Sequence, residues 1–419
     1  MANLLGRSLF YFFQMATVNV QKTYPYSAQF VWHFLSDFFT PWHPMMAWCE
    51  QVDEQTRKFG MQGEDTVYVE QMTHIDHDHH LFEYTMLEGI PVLEDYRGKA
   101  FVESLADDYS RVTWQAEITA PEKIAERVAA GTEAVFGAGL DALDLIMMDV
   151  LEIETIRIEE EPHLAVDIAG AGELVLFLHG IGGDRLNWHS QIEALASRYR
   201  CASLDFRGYG KSELGGWPVT VETQASDILR VVNQVEAEKV HLVGLSYGSW
   251  LAACFAQRHP SKVSSLTLCA GSTGMSEASY GEKMRFEASR LRPIEQGKTP
   301  ADIAHEVVEA ISGPNSTSYS RTELLASMQA IPRSTYLSAL RCFLNPPGKI
   351  PFGTFEFPTM FVAGEHDKLA PPAEMHGVAE RAPNSRFEMI KGAGHLVNIE
   401  KPAEFNQILL DFLQSTTKT

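Results

Sequence analysis

The stretch VHLVGLSYGSWLAACFA, residues 240–256, has a serine between two glycines at the point where an apolar run gives way to a helix-like one. The G-x-S-x-G spacing of Gly244, Ser246 and Gly248 recurs by chance in chains of this length, so the surrounding pattern decides its meaning. The run before the serine predicts a buried strand, and the run after it predicts a helix. A tight turn between the two would strain the backbone, and glycines leave room for it because they lack side chains. We therefore expect the hydroxyl of Ser246 to stand clear of the sheet.

After about residue 151 the chain alternates apolar strand patterns with amphipathic helix patterns. Strand-like ELVLFLHG (173–180) precedes helix-like WHSQIEALASRY (188–199), and the alternation returns near the carboxyl terminus. This order predicts a parallel sheet covered by helices on both faces. Between about residues 272 and 357 helix-like segments interrupt the alternation. We expect them to form a cap over the carboxyl ends of the strands, where ligands of such sheets bind.

Two residues further along the chain are candidates to activate the serine. A serine hydroxyl is a weak nucleophile at neutral pH, and it needs a base that is itself oriented by a third group. Asp367 ends the strand-like TMFVAGEHD (359–367), and His395 follows the next strand in IKGAGHL (390–396). Both follow strands on the same sheet edge as Ser246. The prediction is that His395 accepts the serine proton, while Asp367 holds the tautomer of the imidazole and stabilises its cationic form.

Backbone amides near the serine are candidates for an oxyanion hole. The turn directs the amide of Tyr247, at the start of a helix, towards negative charge that develops beside Ser246. The second donor is expected from the loop HGIGGD, residues 179–184. The amide of Ile181 is predicted for this role, and that of Gly182 is the near alternative. Losing one such donor typically costs about 3 kcal/mol of transition-state stabilisation.

These residues resemble the α/β-hydrolase superfamily over about residues 155–415. The resemblance rests on five motifs that occur in order and at suitable intervals: HGIGG, DFRGYGKS, GLSYGS, GEHDKLAPP and GAGHL. It implies a mostly parallel, doubly wound sheet with a helical cap, and a triad of Ser246, Asp367 and His395 in the family's chain order. The dehalogenases of this fold carry aspartate in place of the serine, which argues against haloalkane chemistry.

Other polar residues of the same motifs are assigned structural roles. Asp205 and Arg207 look like the family's loop-bracing pair. His179 is expected to brace its own loop rather than act as the base. Glu365 and His366 adjoin the predicted acid but fit its position less well.

The part of the chain before this region has a different pattern. Residues 18–120 are mostly strand-like, with one early helix-like segment, AQFVWHFLSDF (28–38). After Pro121, apolar residues recur at helical spacing to about residue 146, which predicts one long closing helix. An antiparallel sheet with one early and one late helix is an α+β domain.

This layout resembles the START-like SRPBCC superfamily, the polyketide-cyclase branch in particular, over about residues 17–150. The resemblance rests on TYPYSAQFVWHFLSDF, PWHP, EDYRG and SRVTWQAE. It implies a helix-grip fold in which a curved sheet surrounds an apolar cavity for a hydrophobic small molecule. No catalytic set carries over, because the superfamily has no single one. The domains predicted are therefore a START-like ligand-binding domain at 17–150 and an α/β-hydrolase domain at 151–419.

The stretch HIDHDHH (74–80) within this part has two interpretations. Alternation along a strand would place His77 and His79 on one face, and sets of histidine and aspartate bind zinc or iron. The stretch is also entirely polar apart from one isoleucine and lies between two strand patterns, as the tip of a hairpin does. We favour the solvated hairpin, and we expect neither a metal site nor a cofactor.

Charge and cysteine content exclude several classes of protein. The net charge is −21, and residues 1–155 hold 25 acidic but only 9 basic side chains. Such a surface repels nucleic acid and anionic lipid, so neither is an expected partner. The five cysteines are odd in number and lack metal-site spacing, which favours a reducing, cytoplasmic compartment. The apolar run ending at Gln14 is too short to span a bilayer; it is a weak export signal, or Met15 is the true start.

Three functions remain open at this point. The leading hypothesis is a serine hydrolase that cleaves a hydrophobic ester, lactone or related acyl compound through an acyl-enzyme. A carbon–carbon bond hydrolase of the same fold would use the same triad. A sensor or carrier would bind an apolar molecule with little turnover. The sequence identifies neither the substrate nor the oligomeric state.

Overall fold

The computed structural model describes residues 12–90, 93–106 and 109–416. The chain divides into two compact units, of which the first ends at Leu151 and the second begins at Glu152. Each unit is described by itself. The alternative that Met15 is the true start concerns residues 1–14, of which residues 1–11 lie outside the described part.

The first unit is built on one antiparallel sheet of seven strands in the order β1-β7-β6-β5-β4-β3-β2. The strands are β1 (Phe13–Tyr24), β2 (Met46–Gln51), β3 (Thr56–Met61), β4 (Val67–Asp76), β5 (Leu81–Glu88), β6 (Asp95–Ala106) and β7 (Tyr109–Pro121). Its helices are α1 (Ala28–Leu35) and α2 (Glu122–Val150).

The two helices form where local signals favour them. The side chain of Ser27 caps α1 by accepting a hydrogen bond from the Phe30 amide. The long helix α2 begins directly after Pro121 and packs on β1 and β7. Its buried face places Phe136 against Trp114 of β7, with the two rings stacked 4.4 Å apart. This arrangement is the α+β helix-grip layout predicted from the sequence.

Two details of the first unit differ from or refine the prediction. Strands β2 and β3 were not predicted, because neither MAWCEQ nor TRKFGM alternates apolar with polar residues. A turn at residues 77–80 joins β4 to β5, which confirms the polar hairpin. In that turn His79 is bonded to Asp76 (2.8 Å), whereas His77 Nδ1 accepts from the indole of Trp32 (3.2 Å). Among the described residues, no group of three or more ligating side chains is placed to hold a metal.

The second unit contains an eight-stranded sheet in the order β15-β14-β13-β12-β10-β11-β9-β8. Only β9 runs opposite to the other strands: it pairs antiparallel with β8 and β11, and all other neighbouring pairs are parallel. The strands are β8 (Glu154–Ile158), β9 (Leu164–Ala169), β10 (Leu174–Leu178), β11 (Arg200–Leu204), β12 (Val240–Leu245), β13 (Val263–Cys269), β14 (Thr359–Gly364) and β15 (Ser385–Ile390). Every residue of β10, β12 and β14 is buried, as in a sheet covered on both faces.

Helices cover this sheet and interrupt it once. They are α3 (His189–Leu195), α4 (Val221–Gln234), α5 (Tyr247–Arg258), α6 (Tyr280–Phe286), α7 (Arg292–Glu295), α8 (Pro300–Ile311), α9 (Ser318–Ala330), α10 (Arg333–Leu344), α11 (Pro372–Ala379), α12 (Val397–Glu400) and α13 (Pro402–Thr416). Helices α6 to α10 all lie between β13 and β14, in the interval where the sequence predicts a cap. In the parts of the chain that the structure describes, no helix has the length and apolar character of a membrane span.

Candidate active site

Ser246 occupies the turn between β12 and α5. Its backbone has φ 53° and ψ −109°, a left-handed conformation that costs a non-glycine residue about 1–3 kcal/mol. A Cβ at Gly244 would collide with the backbone of Gly248. A Cβ at Gly248 would in turn collide with the carbonyl of Leu178 in β10. The two flanking glycines are therefore a steric requirement of this turn.

His395 and Asp367 lie together beyond the carboxyl ends of the adjacent strands β15 and β14. Asp367 Oδ2 is 2.8 Å from His395 Nδ1, and both side chains are buried. The other carboxylate oxygen, Oδ1, accepts from the amides of Leu369 (2.8 Å) and Ala370 (3.0 Å). With the carboxylate held as an acceptor, Nδ1 of the imidazole is the donor and Nε2 is left to act as a base.

Ser246 and His395 line one cavity, the Ser246 pocket, of about 80 Å³. Ile181, Gly182 and Tyr247 line the same pocket. The structure thus brings all the predicted site residues together, except that Asp367 lies behind the imidazole. The cap supplies most of the apolar wall, from Phe286, Val307, Val308, Leu324, Met328 and Phe343.

Two side-chain hydrogen bonds hold the loop that carries the proposed oxyanion donors Ile181 and Gly182. The hydroxyl of Tyr209 donates to the carbonyl of Ile181 (3.0 Å), and the hydroxyl of Ser327 donates to that of Gly182 (3.2 Å). Tyr247 is the first residue of α5, where a helix leaves its backbone N–H unpaired. Tyr209 was not singled out from the sequence, although it lies within the DFRGYGKS motif.

The predicted loop-bracing residues, Asp205 and Arg207, have the structural role that the sequence indicates. Both are buried and both form ion pairs, but not with each other. Asp205 bonds Arg185 (2.6 Å), whereas Arg207 bonds Asp227 of α4 (2.6 and 2.8 Å). Each braces its loop against a different element. The sequence motif could not show this, because both partners come from other segments.

His179 has both ring nitrogens occupied by the backbone. Nδ1 bonds the carbonyl of Gly180 (2.7 Å), and Nε2 accepts from the amide of Phe206 (3.1 Å). Burial lowers the pKa of this histidine. These bonds give it the bracing role predicted from the sequence.

The residues that precede Asp367 take no part in this arrangement. Glu365 accepts from the amide of Gly392 (2.9 Å), and His366 lies 3.6 Å from Glu365. Both side chains are exposed. Neither bonds His395 among the contacts described.

One buried carboxylate beside His395 was missed. Glu400 Oε2 accepts from the amides of Gly394 (3.0 Å) and Gly313 (2.9 Å), and its Oε1 accepts from the amide of Leu396 (3.2 Å). It therefore ties both sides of the histidine to the segment that follows α8. Its position, five residues after the histidine and two before a proline, was the only signal in the sequence.

A model of the alpha/beta hydrolase fold matches residues 173–402, more than half of the chain. The chain belongs to the alpha/beta hydrolase family. A second model, for polyketide cyclase / dehydrase and lipid transport, matches residues 15–145. The protein is therefore a fusion of these two kinds of domain, as the resemblances implied.

Known proteins of this family resemble the second unit. The 3-oxoadipate enol-lactonase 1 of Acinetobacter baylyi is 26% identical over 259 residues, which cover 60% of this chain and 93% of the lactonase. A thermophilic esterase from Thermogutta terrifontis is 24% identical with a TM-score of 0.56, covering 63% of this chain and 99% of the esterase. A bromoperoxidase from Bacillus anthracis has a TM-score of 0.56 at 20% identity, covering 63% of this chain and all of that protein. The last two likenesses establish the fold alone.

Proposed function

We propose that residues 152–419 form a serine hydrolase that cleaves an ester, lactone or related acyl compound. One observation carries the proposal: Ser246, in a strained turn, lines the same pocket as His395, and the Nδ1 of that histidine is bonded to a buried carboxylate. A nucleophile, a base and an orienting acid in this order are the elements of acyl transfer. The likeness to an enol-lactonase agrees with this chemistry.

The first half of the reaction forms an acyl-enzyme. His395 Nε2 takes the proton from Ser246 Oγ as the oxygen attacks the carbonyl carbon of the substrate. The carbonyl oxygen becomes an oxyanion, which the amides of Ile181 and Tyr247 stabilise. Asp367 stabilises the imidazolium. The intermediate then collapses, and the carbon–oxygen bond breaks as His395 returns the proton to the leaving oxygen.

The second half releases the acid. His395 removes a proton from water, and the resulting hydroxide oxygen attacks the acyl carbon. The second oxyanion uses the same two amides. When it collapses, Ser246 leaves with the proton from His395, and the enzyme is regenerated.

Labelling of the serine tests this proposal. A fluorophosphonate probe should form an adduct that maps to Ser246, and Ser246→Ala should form no adduct. The variant should also hydrolyse short p-nitrophenyl esters at least about 10³-fold more slowly than wild type. Ser334→Ala, at an exposed serine of the same unit, is the control. Equal hydrolysis by Ser246→Ala and wild type would favour a sensor or carrier. A panel of esters, lactones and β-diketones then separates ester cleavage from carbon–carbon bond cleavage.

A second role is proposed for the first unit: it binds a hydrophobic small molecule. Between α2 and the sheet lies a cavity of about 440 Å³, the amino-terminal cavity. Its walls contain many aromatic side chains, including Phe38, Trp42, Phe59, Phe82, Trp114 and Phe136. A mostly apolar cavity with a few polar groups is typical of ligand sites. The match to a family of polyketide cyclases and lipid transporters supports this role.

A further inference from the structure

The described lining of the amino-terminal cavity contains one arginine, and a neighbouring glutamate neutralises its charge. Arg57 and Glu70 both line it, and their side chains are only 9% and 7% exposed. Arg57 Nε and Nη2 donate to Glu70 Oε2 at 3.0 and 2.6 Å, and Nη1 donates to the carbonyl of Phe38 at 2.5 Å. The guanidinium also lies 3.9 Å from the centre of the Phe38 ring. The guanidinium of Arg57 is therefore already paired with Glu70 and is not free to bind an anionic ligand.

The other ionisable groups around the cavity supply no positive charge either. His43 bonds the carbonyl of Val135 through Nε2 (2.9 Å) and accepts from the amide of Met45 through Nδ1 (3.2 Å), and burial lowers its pKa. Asp37 and Glu64 add negative charge to the lining. A carboxylate ligand would enter this space without a counterion, at a high desolvation cost.

Glu70 also has an oxygen that remains available. Both bonds from Arg57 converge on Oε2, and within the described ranges no donor bonds Oε1. Because Glu70 lines the cavity, this carboxylate oxygen can accept a hydrogen bond from a ligand that supplies a donor. Tyr96 lines the same cavity, and its hydroxyl lies next to that of Tyr84, which accepts from the indole of Trp114 (3.0 Å).

We propose that the amino-terminal cavity binds a neutral aromatic alcohol of the phenol type, whose hydroxyl donates to Glu70 Oε1. The aromatic walls favour a flat ring system, and the self-neutralised Arg57–Glu70 pair excludes carboxylic acids such as fatty acids. This inference rests on the ligand-binding role proposed above and adds the class of ligand.

Three probes of one shape test the inference on the full chain: 2-naphthol, 2-methoxynaphthalene and 2-naphthoate. Calorimetry at pH 7 should give the tightest binding for 2-naphthol. The methyl ether, which lacks a donor, should bind about 10- to 100-fold more weakly, as expected for loss of a hydrogen bond to a charged acceptor. The carboxylate should bind at least as weakly as the ether.

A pair of glycine variants shows whether the probes occupy this cavity. A Cβ at Gly131, which lines the cavity, or at Gly137, which lies on the same helix away from it, meets no atom within 4 Å. Gly131→Phe should block binding of 2-naphthol, whereas Gly137→Phe should leave it unchanged. If the two variants bind alike, the ligand lies elsewhere and the inference is wrong.

Glu70→Gln should reverse the preference. Removing the carboxylate leaves Arg57 as an uncompensated cation, so 2-naphthoate should bind about tenfold or more tightly than in wild type, while 2-naphthol weakens. If this variant does not fold, the probe series on the wild type decides the matter. Equal affinity of wild type for the alcohol and its ether overturns the inference but keeps ligand binding; binding of no probe overturns both.

A separate observation concerns the Ser246 pocket. Arg290 is the one cationic side chain in its described lining, apart from His395 when that residue is protonated. It forms no ion pair with any described residue, and its bond to the carbonyl of Ser289 is 3.5 Å long. The acids nearby are already paired: Glu287 with Arg292, and Glu295 with Arg341. An unpaired cation in an otherwise apolar wall favours an anionic group on the substrate.

We infer that the hydrolase substrate carries a carboxylate, which Arg290 binds while Ser246 attacks the ester or lactone carbonyl. This second inference rests on the proposed hydrolase activity. The matched substrates are 4-nitrophenyl hydrogen glutarate and its methyl ester, which differ only in the carboxylate. Wild type should prefer the acid about tenfold or more in kcat/KM.

Arg290→Gln should lose that preference, mainly through a higher KM for the acid, so that its kcat/KM values for the acid and for the methyl ester lie within about twofold of each other. Arg285→Gln, at an exposed arginine of α6 outside the lining, is the matched control. Hydrolysis of the methyl ester without a preference for the acid overturns this inference alone. Failure of wild type to hydrolyse either ester overturns the proposed activity as well.

Discussion

At the scale of single residues, the candidate site depends on a carboxylate that is held from two sides. Asp367 gives one oxygen to His395 and the other to two backbone amides. An ionised carboxylate can accept hydrogen bonds from all three donors because it carries no proton of its own. An amide in its place would have to turn an NH₂ group towards either the backbone or the imidazole.

Asp367→Asn tests the importance of that charge. The variant should fold, but kcat for a p-nitrophenyl ester should fall on the order of 10³- to 10⁴-fold, because the imidazole adopts the wrong tautomer and its cation is not stabilised. Steady-state kinetics measure the effect. Glu365→Gln, two residues away and exposed, should stay within about threefold of wild type. A similar loss in both variants would contradict the assignment of the acid.

A second carboxylate illustrates how charge contributes to stability. Asp167 in β9 accepts from Thr155 (2.7 Å), Arg185 (2.8 Å) and His189 (2.7 Å). Burial acts to raise the pKa of Asp167, but the hydrogen bonds of His189, Thr155 and Arg185 together outweigh it and lower the pKa to about 2. A carboxyl whose pKa is lower in the folded than in the unfolded state stabilises the fold only while it is ionised.

The free energy of unfolding should therefore depend on this group in acid. The contribution of Asp167, about 2 kcal/mol, should be complete above about pH 5 and should be lost as the pH falls through 4 towards 2. Urea unfolding of wild type and Asp167→Asn at pH 6 and pH 3 measures it. The difference in stability between the two proteins should be smaller at pH 3. A difference that is unchanged or larger at pH 3 would contradict this expectation.

At the scale of elements, the sequence predicts the strands, helices and turns correctly where neighbouring residues alone determine the structure. The turn at Ser246 is an example, because its glycines are required by the close approach of β10, β12 and α5. The alternation of apolar strands and helices likewise predicted the mostly parallel sheet. Strands β2 and β3 were missed, since their pairing, rather than their own pattern, makes them strands.

The contacts between distant segments were beyond sequence reasoning. Arg207 pairs with Asp227 on α4. Glu400 accepts hydrogen bonds from Ser316 and Gly313, which lie 84 and 87 residues earlier in the chain. The chain order of the predicted triad followed from the family resemblance, but the residues that orient it did not. Such partners are chosen by the folded geometry, which a linear pattern does not encode.

Glu400 is expected to act as a positioning residue for His395. Glu400→Gln replaces an acceptor of several amides with a group that must turn donors towards some of them, so the histidine loop should shift. We expect kcat to fall about tenfold with KM little changed, and fluorophosphonate labelling to slow in parallel. Glu404→Gln, at an exposed glutamate of α13, is the control. A variant that loses thermal stability but labels at the normal rate would indicate a purely structural role.

At the scale of the whole molecule, each unit has its own sheet. The residues of the proposed triad all belong to the second unit. The proposed nucleophile, base, acid and oxyanion donors lie between residues 181 and 395. The unit beginning at Glu152 has about 270 residues, which is enough for a single core of its own. The chemistry proposed for Ser246 therefore requires no side chain from the first unit.

Expression of residues 152–419 alone tests that independence. The shortened protein should unfold cooperatively and hydrolyse small p-nitrophenyl esters with kcat/KM within about threefold of the full chain, because every group proposed to act in catalysis is retained. Ser246→Ala in the shortened protein is the control for background hydrolysis. If the shortened protein folds but loses activity on these small esters, the first unit contributes directly to the chemistry. If activity falls only for the physiological substrate, the first unit contributes through ligand binding and not through the chemistry at Ser246.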